Sequence, residues 1–265
     1  MTVQHHDKVM TADFAVPGVK EQVSAEEWKV RTELAACYRA IAHFGWSDWV
    51  YTHASARVPG TNHFLINPFG LMFEEVTASN LVKIDLNGDK VMDSPWPINK
   101  AGFVIHSAVH AGGPDAHCVI HLHTDFGIAV SNQKEGLLPM FQTSIIAWDV
   151  TGYHDFQGLA VREEEKESLV ADLGDKKALI LRNHGTLSVG KDVAEAWRFI
   201  YMLERACKAQ ILTQSTGREI YPVTEEAIQN TVRDAGKVGE VSIEGFRPFD
   251  AIMRKMDRVS PGYRE

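Results

Sequence analysis

Two histidines two residues apart sit in the apolar run Val119-Ile120-His121-Leu122-His123-Thr124. The run predicts a β-strand over Cys118–Leu122. Side chains alternate across a strand, so His121 and His123 share one face and Leu122 takes the other. Two imidazoles on one face suit a divalent cation. A third, His184, follows the apolar run Ala178–Arg182 and precedes a glycine in Asn183-His184-Gly185. Three protein ligands with open positions are the pattern of a catalytic metal, whereas closed structural sites use four, often cysteines. None of the three cysteines, Cys37, Cys118 and Cys207, is spaced as a fourth ligand. Spacing alone leaves two readings open, a metal site or hydrogen-bonded strand-end histidines.

The elements that would carry these residues follow from periodicity. Ser24-x-x-Glu27 is a capping box that opens a helix ended by Gly45. Short strands are expected at His53–Val58 and Phe64–Asn67, separated by Pro59-Gly60. A hairpin is expected across Asn87-Gly88, with strands Leu81–Leu86 and Lys90–Met92. Helices are expected at Ala101–Ala111, around Phe126–Val130, at Glu163–Leu173 and from Val193 to Leu212. A polar helix near 224–235 and an amphipathic segment Phe246–Met256 close the chain. Residues 1–22 read as a loose arm and 23–265 as one mixed α/β domain.

The chain has 265 residues, 45% of them hydrophobic, and a net charge of −8. That acidity, without a Lys/Arg cluster, excludes nucleic acid and anionic membrane as expected partners. The apolar runs are too short to span a bilayer, and the first residues lack a secretory pattern. Scattered cysteines, odd in number, fit a reducing cytoplasm. No dinucleotide fingerprint or P-loop is present.

Five segments, in order, resemble the class II aldolase/adducin family: THASARVPG with FLINPFG, TASNLVKIDLNG, NKAGFVIHSAVH, VIHLHTDFGIAV and LILRNHGTLSVG. The resemblance spans about residues 30–210. It implies a three-layer α/β/α fold around a mixed, mostly antiparallel sheet, and homotetramers with active sites between subunits. It also implies that His121, His123 and His184 hold a divalent ion, most often Zn2+, with Mn2+, Fe2+ or Co2+ as alternatives. Such an ion acts as a Lewis acid on a small-molecule substrate.

The departures from the family pattern redirect the chemistry. The family's catalytic glutamate aligns with Gly102, its phosphate-binding Gly-Asn with Thr52-His53, and its second phosphate loop with Phe69-Gly70. NKAGFVIHSAVH resembles the adducin-like branch, whose cytoskeletal members have no known enzymatic activity in this region. A retro-aldol reaction needs a placed base, and decarboxylation needs a metal and a proton donor. The expected function is metal-dependent C–C cleavage, aldolase or decarboxylase in type, of a non-phosphorylated hydroxy- or oxo-acid. An iron oxygenase or a non-catalytic binding protein is the alternative.

His53 is the first candidate proton carrier, since it replaces a phosphate-loop residue and has a near-neutral reference pKa. His154 and Tyr153 in TGYHDFQG are the next, and Lys100 is a candidate carboxylate partner. Asn67, Phe69, Gly70 and Gly102 are candidate substrate contacts, Gly102 through its backbone N–H at a helix start. His106 and His110 are expected to make structural hydrogen bonds, and Arg57 to belong to the scaffold. Tyr263 matters because some family members lend a C-terminal tyrosine to a neighbouring site.

Overall fold

Ser24 starts the first long helix as expected, its Oγ accepting from the Glu27 N–H at 3.1 Å. The Glu27 carboxylate does not close the box. It pairs with Arg31 at 3.0 Å and Lys83 at 2.7 Å, tying the helix to the sheet edge. The computed structural model describes residues 14–112, 116–158, 164–238 and 247–265.

In chain order the elements are α1 (Val19–Gln22), α2 (Ala25–His43), β1 (His53–Arg57), β2 (Phe64–Ile66), β3 (Val82–Ile84), α3 (Lys100–Gly112), β4 (Cys118–Leu122) and α4 (Asp125–Ser131). There follow α5 (Gln142–Asp149), β5 (Thr151–His154), α6 (Glu164–Leu173), β6 (Ala178–Leu181), β7 (Gly185–Gly190), α7 (Val193–Gln214), α8 (Glu225–Val238) and α9 (Pro248–Val259). The strands form a seven-stranded sheet in the order β3-β2-β1-β4-β7-β6-β5. Every pairing is antiparallel except β5 with β6.

Alternation along the strands builds two cores. Ala54, Ala56, Cys118, Ile120 and Leu122 face α2 and α7, meeting Leu34, Tyr38, Ile41, Trp197 and Ile200. Val119, Leu179, Leu181, Leu187 and Val189 face α3 and α6, meeting Ile105, Val109, Leu169 and Leu173. The fold is therefore a three-layer α/β/α sandwich around a mixed sheet.

Four local expectations need correction. Part of the expected arm is docked: Val19 in α1 is buried, and the Val16 N–H donates to Ser79 Oγ at 3.0 Å. The second hairpin strand shrinks to one bridge, Ile84 with Lys90. The cause is local, because Asp85 Oδ1 accepts from both the Asn87 and Asp89 N–H groups and winds the chain into a side-chain-closed turn. β5, β7 and α5 are additions to the expected elements, and Tyr153-His154 lies within β5. Finally, Tyr263 does not project outward. It is fully buried, and its carbonyl accepts from the Ala78 N–H. No described helix is long and apolar enough to cross a membrane.

Candidate metal centre and its histidine seam

The strand registers bring the chemistry to one end of the sheet. β1 begins at His53, opposite His121 of β4, and β2 ends at Ile66, just before Asn67. β6 and β7 are joined by the tight turn Arg182-Asn183-His184, in which Asn183 adopts a φ of 55°. His184 thus sits in a hairpin turn beside the end of β4. Gly185 permits the approach, since a Cβ there would strike the Leu122 carbonyl and lie 3.1 Å from His123 Cδ2.

His121, His123 and His184 converge. His123 Nε2 lies 2.9 Å from His121 Nε2 and 2.9 Å from His184 Nε2. The other ring nitrogens explain what this means. His121 Nδ1 is 2.9 Å from the Thr186 carbonyl, and His123 Nδ1 is 2.9 Å from Asp48 Oδ2. Carbonyl and carboxylate oxygens only accept, so each Nδ1 carries the proton and each neutral ring has a bare Nε2. Bare lone pairs facing one another repel unless a cation lies among them. The donor set fits a divalent metal, and the Thr186 carbonyl and Asp48 carboxylate on the Nδ1 atoms fix the orientation of the two rings. Burial, reinforced by His123, holds His184 down at about 4, and burial holds His121 well below the usual range. Both therefore stay unprotonated at neutral pH.

Behind this cluster, on the opposite face, Glu204 of α7 accepts from the hydroxyls of Thr124 and Thr186. These threonines follow His123 and His184 in sequence, so one buried carboxylate braces both ligand-bearing segments. Burial raises Glu204 to about 7 against the lowering effect of the two hydroxyls. Neither Asp48 nor Glu204 was identified from the sequence. Asp48 lies in a loop and Glu204 in mid-helix, where no spacing links either to the histidines.

A second polar group lies beside the first, between β1 and α3. His53 and Ser55 share a face of β1, and His106 and His110 share a face of α3. His53 Nδ1 is 2.7 Å from His106 Nε2, and Ser55 Oγ is 2.5 Å from His106 Nδ1 and 2.7 Å from His110 Nε2. His110 Nδ1 is 2.6 Å from the Ala116 carbonyl. Burial pushes His53 and His110 down to about 3 and His106 well below the usual range. The expected structural hydrogen bonds of His106 and His110 are thus present, and they run toward His53.

The remaining candidates separate. The His154 ring is held by Asp172 at 2.7 Å and lines a small cleft with His184 and Leu181. Tyr153 lies on the opposite face of β5, packed with Val130, Leu137 and Ala147. Its hydroxyl accepts from the Leu137 N–H at 3.0 Å, so the catalytic expectation for Tyr153 is corrected. Asn67 Oδ1 is taken by the Tyr38 hydroxyl at 2.9 Å. Phe69 is 38% exposed on the loop after β2, followed by Gly70 with a φ of 99°. Gly102 does not offer its N–H to an anion, because Asn99 Oδ1 accepts that proton at 3.2 Å. Lys100 opens α3, and its side chain lies outside the described atoms. Arg57 is scaffold, donating to the His110 carbonyl at 2.8 Å and to Asn62 at 3.1 Å.

Residues 32–211 match the family described as Class II Aldolase and Adducin N-terminal domain. An aldolase II superfamily protein from Pseudomonas syringae is 48% identical, with a TM-score of 0.87 over 93% of this chain and 99% of that one. L-fuculose 1-phosphate aldolase from Glaciozyma antarctica is 26% identical, with a TM-score of 0.78 over 97% and 100% of the two chains. Mouse alpha-adducin is 43% identical over 89% of this chain, which spans 34% of that protein's length.

Proposed function

The chain belongs to the class II aldolase and adducin family, and on that premise we propose that it is a divalent-metal-dependent carbon–carbon lyase. Its substrate in this reading is a small, non-phosphorylated hydroxy- or oxo-acid. The observation that carries the reading is the convergence of His121, His123 and His184, two of them with Nδ1 committed to an acceptor. These three hold the ion, zinc first and manganese, iron or cobalt as alternatives. When bound, such an ion supplies Lewis-acid polarisation of a substrate oxygen, worth several kcal/mol.

The chain's own residues do the rest. Asp48 and the Thr186 carbonyl orient the rings of His123 and His121. His53, opposite His121 in the sheet, takes the proton that the family's glutamate would take. His154, steadied by Asp172, carries a second proton from the β5 side, and Lys100 pairs with a substrate carboxylate. Phe69 favours a flat, partly apolar substrate over a phosphate. The family premise extends to a homotetramer, and the three buried free cysteines to a cytoplasmic setting.

Likeness to alpha-adducin favours one second reading, a non-catalytic binding protein. Elemental analysis of untagged protein, with a panel of hydroxy-acids, oxo-acids and sugar phosphates, separates the two. The lyase reading expects about one metal per chain, lost in the His121→Ala/His123→Ala variant, and cleavage of at least one acid. Metal-free protein that cleaves nothing after reconstitution overturns it. Cleavage of sugar phosphates alone overturns the substrate class.

A further inference from the structure

The polar seam between β1 and α3 has a direction, and a single carbonyl sets it. We propose that the Ala116 carbonyl, acting through His110, Ser55 and His106, locks His53 as its Nδ1–H tautomer and so leaves a bare Nε2 in the space beside Gly102, on a ring whose centroid lies 5.6 Å from that of His121.

Each link follows from what its neighbour is able to accept. The Ala116 carbonyl accepts only, so His110 carries its proton on Nδ1. In the neutral ring Nε2 is then an acceptor, and the Ser55 hydroxyl must donate to it. Ser55 has one proton, so its oxygen accepts from His106 Nδ1–H. His106 Nε2 is left as an acceptor, and His53 Nδ1–H donates to it. The lone pair of His53 remains on Nε2, the ring nitrogen that takes no part in the His106 contact. Reversing the order would set His110 Nδ1 as a lone pair 2.6 Å from the carbonyl oxygen, which repels. Charging a ring to escape the order is opposed by burial, since His53, His106 and His110 are all at most 5% exposed.

The seam therefore does for His53 what Asp48 and Thr186 do for the other rings, but over four links rather than one. His110, Ser55 and His106 are positioning residues, and none needs to touch the substrate. The polarity itself is independent of any reaction. Its catalytic consequence rests on the reading of His53 as a proton acceptor.

The test is nitrogen NMR of the full-length chain with histidine selectively labelled, metal-free and with added Zn2+, His53 being assigned by its loss in His53→Gln. Bare and protonated ring nitrogens resonate in separate ranges. The expected result is a protonated Nδ1 and bare Nε2 on His53, with a through-hydrogen-bond coupling to His106 Nε2. In Ser55→Ala, His106 is freed to donate from Nε2, so the coupling reverses sense and His53 moves its proton to Nε2. Ser55→Thr, which keeps the hydroxyl, restores the wild-type pattern. A wild-type His53 protonated on Nε2 overturns the proposal without any variant. A His53 tautomer unchanged in a folded Ser55→Ala also overturns it. A confirmed tautomer in a protein that cleaves no acid would leave the seam standing and remove the lyase reading. The opposite pair of results would do the reverse.

Discussion

His53 Nε2 occupies the space into which a side chain at position 102 would grow. A Cβ built on Gly102 collides with that nitrogen and lies 2.7 Å from His53 Cδ2. The two departures from the family pattern at these positions are therefore one change. A glutamate at 102 and a histidine at 53 in this rotamer exclude each other, and the chain has the histidine. Asn99 Oδ1 accepts from the Gly102 N–H at 3.2 Å and so caps the first turn of α3 at this point.

This exclusion predicts the behaviour of Gly102→Ala. The added methyl must push the His53 ring aside, at the cost of overpacking, about 1–3 kcal/mol. Thermal denaturation should show a lowered Tm, by roughly 2–4 °C per kcal/mol. Adding His53→Ala should relieve much of it, and the double-mutant cycle should give a coupling of about 0.5–3 kcal/mol. Strict additivity of the two changes would mean that the ring and the glycine do not meet.

Asp48 meets the cluster through His123 Nδ1, at 2.9 Å. Asp48→Ala should leave the fold intact and weaken metal binding by about 10–100-fold, read by chelator competition. Unaltered affinity would show that His123 keeps its orientation without the carboxylate.

The buried histidines and Glu204 give stability opposite pH dependences. His106 and His110 titrate lower in the folded chain than when unfolded. As pH falls below about 6.5 the unfolded chain takes up protons that the folded chain refuses, so stability is lost toward acid. Each such group contributes up to about 1.4 kcal/mol per pH unit within its window. Glu204 is raised to about 7, so its contribution is complete in acid and is lost as pH rises through 7. Glu204→Gln should therefore gain stability relative to wild type between about pH 5 and 8 in urea titrations. A difference between the two that does not change with pH would place the Glu204 pKa at an ordinary carboxylate value.

Tyr153 and His154 are adjacent but should respond differently. Tyr153→Phe removes the acceptor of the Leu137 N–H and should cost about 1 kcal/mol of stability. Its turnover of a cleaved acid should be unchanged. His154→Gln should lower turnover by about 10²-fold or more if the ring carries a proton. Equal kinetic effects from both would contradict the assignment of Tyr153 to the far face.

Much of the site was legible because it obeys strand and helix periods. His121 and His123 share a face by the two-residue repeat, and the apolar run Ala178–Leu181 already marked His184 as lying beside a strand. The two-residue repeat also puts His53 and Ser55 on one face of β1, and the four-residue helical spacing puts His106 and His110 on one face of α3, but neither period says that the two pairs interlock. The three-layer fold was legible from the ordered segments, whereas β7 was hidden by the glycines and small polar residues at its ends.

What the amino-acid order determined by itself was a set of local properties: which rings share a face, where helices start, and that position 102 has no side chain. The tertiary structure alone decided the rest. It placed Asp48 on His123, set Glu204 behind two ligand-bearing segments, turned Tyr153 away, and seated His53 in the space left by Gly102. These are contacts between residues 16 to 80 positions apart, such as Tyr153 with Leu137 and Thr124 with Glu204. A local period carries no information about such pairs, because sheet order and helix docking bring them together only after the chain has folded.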